Sequence, residues 1–214
     1  MRVKTPAMKL DVQLESACNR GGELHFTGLL IFLGVHSVRI VAEPWRAGAI
    51  ERLGEHKWKA LYSLVSVAGF VLLVWGYGLA RQAPLVLWQP PPGTRHLASL
   101  LTLVAFVLLA AAYVPGNGLK ARLRHPMVLA VKVWALAHLL ANGTLADLLL
   151  FGGFLLWALA SDRAARQRDR PAGTMTVAPG RPVGTAVAVA IGVLAWAAFA
   201  FWAHAALIGV RPFG

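Results

Sequence analysis

Positions 124–140 read RHPMVLAVKVWALAHLL, and two residues in that run carry chemistry foreign to hydrocarbon. Lys132 brings a cation and His138 an imidazole into an otherwise apolar stretch. His36 and Arg39 do the same in the apolar run that begins near residue 24. Ionisable side chains inside membrane spans are costly, so a protein-facing or functional role is the default expectation. At about 1.5 Å per helical residue, His36 lies roughly 18 Å from one surface and His138 roughly 18 Å from the other. Across a core about 30 Å thick, the two imidazoles fall within roughly 6 Å of each other in depth, near the midplane. Two histidines at matching depth on different helices can be opposed axial ligands of a haem iron. Arg39 follows His36 by one helical turn and shares its face, and Lys132 lies at a comparable depth. No Asp or Glu is expected in the inner half of any span, since Asp147 belongs to the outer end of the fifth. Two cations without a protein acid call for an external anion: haem propionates or, less specifically, an acidic lipid head group.

Simpler readings compete. An intramembrane histidine can bond a neighbouring helix's carbonyl or hydroxyl. Lys132 and Arg39 can snorkel to the near surface. Lys132 and His138, six residues apart, stand about 120° apart around their helix and do not share a face. His25, His56, His96 and His125 fall at span ends or in loops and read as interfacial, as does His204 near the end of the last span. Gly76, Gly78, Gly152 and Gly153 read as sites of close helix packing.

The elements that position these residues follow from composition. The chain has 214 residues, 57% hydrophobic and 14% charged, against the roughly 25% charged of a soluble domain. The reading is all-α: a polytopic membrane helix bundle of about six transmembrane helices. Apolar runs fall at 24–42, 60–80, 97–114, 127–141, 145–160 and 184–209. The fourth and fifth are short, parted by Asn142-Gly143-Thr144, and are read as a hairpin. Residues 1–23 form a polar leader read as a disordered tail. Residues 24–160 make a five-span membrane domain, 161–183 a basic Pro/Gly linker, and 184–214 the sixth helix and tail.

The net charge of +12 suits membrane orientation, and no nucleic-acid-binding spacing accompanies it. The connections 42–59, 115–126 and 161–183 carry twelve Lys and Arg; the tails and remaining connections carry seven. Basic loops stay cytoplasmic, which places those three inside and both termini outside. Trp45, Trp58, Trp88 and Trp202 near span ends fit an interfacial belt. A lone Cys18 leaves no internal disulfide and no C-x-x-C-H for covalent haem.

The blocks FLGVHSVRI (32–40), RLGEHKWKALYSLVSVAGFVLLVWGY (52–77), AYVPGNGLK (112–120) and RHPMVLAVKVWALAHLLANG (124–143) together resemble the NnrU family. These are bacterial inner-membrane proteins linked to denitrification, that is, to nitrite and nitric oxide reduction. The resemblance implies a homology to the 15-cis-zeta-carotene isomerase, whose b-type haem is held by histidines. His36 and His138 match its histidine blocks, so the resemblance implies haem b with those two as metal ligands and Arg39 and Lys132 as propionate partners. Ala135 stands where the isomerase has a cysteine, which sets isomerase chemistry apart from haem binding. The implied role is redox, sensing or isomerase-like, beside nitrite or nitric oxide reductase components. The Arg124-His125-Pro126 triplet also resembles part of the R-H-P-x-Y-x-G motif of membrane methyltransferases that use S-adenosylmethionine, but Val128 and Ala130 replace its tyrosine and glycine. A non-enzymatic accessory factor for nitric oxide reductase is the third reading.

Overall fold

The structure is a computed structural model describing residues 6–169 and 179–213, with side chains described from residue 21. All regular structure among the described residues is helical: α1 (Pro6–Val41), α2 (Glu43–Leu53), α3 (Glu55–Ala80), α4 (Thr94–Tyr113), α5 (Gly118–Leu123), α6 (Pro126–Ala141), α7 (Leu145–Asp169) and α8 (Pro182–Ala198). A π-helical turn, Phe199–Ala203, follows α8 directly and leads into α9 (His204–Ile208). Five stretches among the described residues are long and apolar enough to cross a bilayer: Gly21–Val41, Glu55–Ala80, Thr94–Tyr113, Leu145–Asp169 and Pro182–Ile208. The sixth apolar helix, α6, has 16 residues. At 1.5 Å per residue it is about 24 Å long, short of a core of about 30 Å.

The helix ends differ from the hydropathy reading where polar residues are good helix formers. The leader expected to be disordered is helical from Pro6 onward, in the same helix as the first span. Its Ala, Met, Lys, Leu, Gln and Glu favour helix, and proline is tolerated at the first position. Residues 1–5 lie outside the described residues. Similarly, α7 runs through SDRAARQRD into the stretch expected as linker. Residues 170–178 of that linker also lie outside the described residues.

The chain divides into two compact units, Met1–Trp88 with Thr144–Gly153, and Gln89–Gly143 with Phe154–Gly214. In both, the buried apolar residues are mostly alanines, while Leu64, Leu156 and Leu194 are 68%, 69% and 70% exposed. Small residues inside and large apolar ones outside is the arrangement expected where lipid is the solvent.

In the first unit α1 and α3 pair antiparallel through glycines. A Cβ on Gly28 would overlap the Leu73 backbone, and one on Gly76 would overlap the His25 backbone. Gly69 stands equally close to Phe32, with 2.9 Å from its Cβ position to the Phe32 nitrogen. Gly78 has open space at its Cβ position, and Gly152 meets only Leu148 of its own helix, so neither is the packing glycine expected from sequence. Gly153 packs on the Leu29 and Leu33 side chains. Trp58, expected at the interface, is buried instead, edge-on to Trp45.

In the second unit α4 packs against α6 and α8. Close approach to α8 is made at Gly192, whose Cβ position lies 2.5 Å from the Val107 Cα. Asn117 knots the α4–α5 turn. Its Nδ2 donates to the carbonyls of Ala111 (2.9 Å) and Val114 (2.5 Å), and its Oδ1 accepts from the Lys120 N–H (2.8 Å). That side chain is almost fully buried. Asn117→Ala removes an N-cap and orphans two carbonyls, so it should cost about 2–3 kcal/mol. A denaturant midpoint in detergent measures this, and Asn117→Asp should recover only the capping part.

Candidate functional site

Four segments of the second unit enclose a cavity of about 250 Å³. From α4 come Arg95, Ser99, Thr102 and Phe106, spaced by three and four residues and so on one face. From α6 come Trp134 and His138, one turn apart, followed by Ala141 and Asn142. Trp196, the π-helical residues Phe199 and Ala200, and His204 supply the third wall; Val210, Arg211 and Pro212 supply the fourth. The result is an aromatic and apolar enclosure carrying two imidazoles and two guanidiniums.

His138 is oriented by its own helix. Its Nδ1 donates to the Trp134 carbonyl at 2.9 Å. A carbonyl only accepts, so in the neutral ring the lone pair resides on Nε2, the tautomer of a metal-ligating histidine whose other nitrogen is held by a carbonyl. Trp134 flanks the imidazole at 5.2 Å between ring centroids and meets Phe154 edge-on. The buried Trp196 Nε1–H in the cavity wall has no hydrogen-bond partner among the described residues. A buried donor of this kind calls for an acceptor.

Lys132 lies elsewhere in the same unit. Its Nζ donates to Asp162 Oδ2 at 2.6 Å, and Arg166 Nε reaches the same oxygen at 3.0 Å. This corrects the expectation that no protein acid answers the intramembrane cations. Asp162 was counted with a loop, but α7 continues past residue 160 and carries it into the bundle.

His36 and Arg39 belong to the first unit. The His36 Nδ1 donates to the Phe32 carbonyl at 2.7 Å, so this imidazole adopts the same tautomer as His138. Phe32 and Tyr62 flank it at 4.3 and 5.4 Å. Both histidines thus bond carbonyls of their own helices. Arg39 is exposed.

Two clusters escaped the sequence reading. His25, expected at an interface, is 1% exposed and lies 5.5 Å from the Tyr77 ring. Tyr77 donates to Asp147 Oδ1 at 2.5 Å, while Asp147 Oδ2 accepts from the Thr144 hydroxyl and N–H. The T-x-x-D spacing of Thr144 and Asp147 is a capping signal legible in sequence; the Tyr77 partner is not. The second cluster is the pair Arg95 and Arg211, which nothing local in the sequence marks.

The Arg-His-Pro triplet has structural employment. Arg124 is the centre of a γ-turn, with φ 62° and the His125 N–H bonded to the Leu123 carbonyl at 2.7 Å. His125 Nε2 meets Asp169 Oδ2 at 2.9 Å, and Pro126 opens α6.

Several apolar helices around small-residue cores, with an aromatic and cationic cavity among them, define a multi-pass helical membrane protein. The chain belongs to the NnrU family: that family's model, described as NnrU protein, matches residues 25–212. No curated protein and no solved structure matches the chain.

Proposed function

We propose that this protein holds a b-type haem at the cavity of the second unit, with His138 as an axial ligand, for a redox or sensing role in nitrite and nitric oxide metabolism. The observation that carries this reading is His138 itself, which lines the cavity with its Nδ1 committed to a carbonyl. The donor set suits a planar apolar group with an acidic edge: aromatic walls, an imidazole, two arginines and the orphan Trp196 donor. The enclosed volume is below the roughly 300–1,000 Å³ usual for ligand pockets, so lining aromatics must rotate to admit a macrocycle. When bound, the haem supplies one-electron exchange. The protein's residues orient the imidazole, exclude water and neutralise the acidic edge. The family resemblance assigns the other ligand to His36, whose tautomer is suitable.

The role in denitrification, beside nitrite or nitric oxide reductase components, rests on the family alone. So does placement in the bacterial inner membrane; the cytoplasmic side of loops 42–59, 115–126 and 161–183 rests on their basic charge. Isomerase-like chemistry has weaker support, because the cysteine position is Ala135, which is fully buried.

Expression in haem-sufficient cells followed by an absorbance spectrum tests the reading. The purified protein should show a Soret band that His138→Ala removes. A folded protein without Soret absorption would redirect attention to an accessory role.

A further inference from the structure

We propose that His204 is the second histidine of the cavity's haem site, with Arg95 and Arg211 as the partners of the haem's acidic edge. This rests on the haem reading above and assigns to one unit the ligand and cations that the resemblance places at His36, Arg39 and Lys132.

The local backbone explains how His204 comes to the cavity. The π-helical turn Phe199–Ala203 immediately precedes it. A π turn inserts an extra residue into an α-helix, re-aims the side chains that follow, and occurs disproportionately at functional sites. Beyond it, Gly209 adopts φ 75° and ψ 12°, the left-handed conformation that glycine takes without strain. The chain there doubles back, and the Val210 carbonyl accepts from His204 Nδ1 at 2.7 Å. That bond puts the His204 lone pair on Nε2, as in His138, and the ring is fixed edge-on to Phe199 at 5.7 Å. The same reversal brings Arg211, the next residue, into the cavity wall.

The charges follow the same logic. Lys132 already has its counter-ion in Asp162, and Arg39 is exposed in the other unit. Arg95 and Arg211 line the cavity, and no acidic residue lines it with them. With the partnerless Trp196 N–H beside them, this wall accepts an anion. Two carboxylates on an otherwise apolar ring match two guanidiniums better than a single lipid phosphate does.

The full-length protein, purified in detergent and loaded with hemin, is examined by absorbance and electron paramagnetic resonance. Wild type should be low-spin and six-coordinate. His204→Ala should keep a Soret band, become high-spin and return to low-spin on adding imidazole; His36→Ala should stay low-spin. If His204→Ala fails to fold, His204→Met should fold and shift the reduction potential upward, as Met ligation does. Arg95→Gln and Arg211→Gln should each weaken hemin binding by about tenfold while leaving affinity for hemin dimethyl ester unchanged. A low-spin His204→Ala protein beside a high-spin His36→Ala protein overturns the assignment and leaves the haem reading intact. Absence of haem from wild type overturns both.

Discussion

Asp162→Leu should destabilise the protein by about 3–5 kcal/mol, the cost of leaving one member of a buried ion pair without its partner. The side chains of Lys132 and Asp162 are 19% and 11% exposed, so water does little to replace the lost acid. Arg166, the other cation on the same carboxylate, is 56% exposed and can be hydrated without it. The burden therefore falls on Lys132, which α6 holds inside an apolar run. Lys132→Met in the Asp162→Leu background should restore most of the loss, because burying two apolar groups of similar size is close to neutral. Unfolding midpoints in detergent for wild type, both single variants and the double variant complete the cycle. Equal destabilisation of the double and the Asp162→Leu variants would show that the pair carries no coupling, and the assignment of Asp162 as counter-ion would fall.

The second large effect is expected at the α1–α3 seam. Gly28→Ala and Gly76→Ala each place a methyl group on backbone atoms of the facing helix. Backbone cannot swing aside as a side chain can, so the helices must separate along their length. Overpacking costs about 1–3 kcal/mol, and a backbone clash belongs at or beyond the top of that range. Association in lipid rests on close van der Waals contact, which separation forfeits for every neighbouring pair. Gly34→Ala and Gly78→Ala add the same atom where the structure has open space. Those controls should be neutral or slightly stabilising, by up to about 1 kcal/mol of helix propensity. Folded yield and resistance to SDS unfolding separate the two groups. Indistinguishable behaviour of Gly28→Ala and Gly78→Ala would contradict the observed seam.

His25 shows how the seam bears on the interior. It sits where Gly76 lets α1 approach α3, and this closeness buries an imidazole that position alone suggests is interfacial. The glycine spacing could be read from the chain: 21 and 28 on one helix, 69 and 76 on the other, each seven apart. Which of the chain's many glycines face a partner could not. Gly78, two residues from Gly76, points about 200° away around the helix. The site divides in the same way. His138 was legible because an imidazole in an apolar run is conspicuous, whereas Arg95, His204 and Arg211 sit near segment ends, where polar residues are ordinary.

The sequence by itself determined the helical membrane class, the approximate places of the apolar helices, and the turns that part them. Pro126 opens α6, Thr144 and Asp147 cap α7, and the prolines at 90–92 interrupt the chain between α3 and α4. These depend on consecutive residues, and hydropathy and turn chemistry are local quantities. Tertiary structure alone decided that Asp162 answers Lys132 from thirty positions away, that Tyr77 reaches Asp147, and that Arg95 and Arg211 meet at one cavity. Such partnerships depend on the rotation of each helix about its axis. Lipid and a small-residue protein interior are nearly equally apolar, so average hydropathy carries little trace of that rotation.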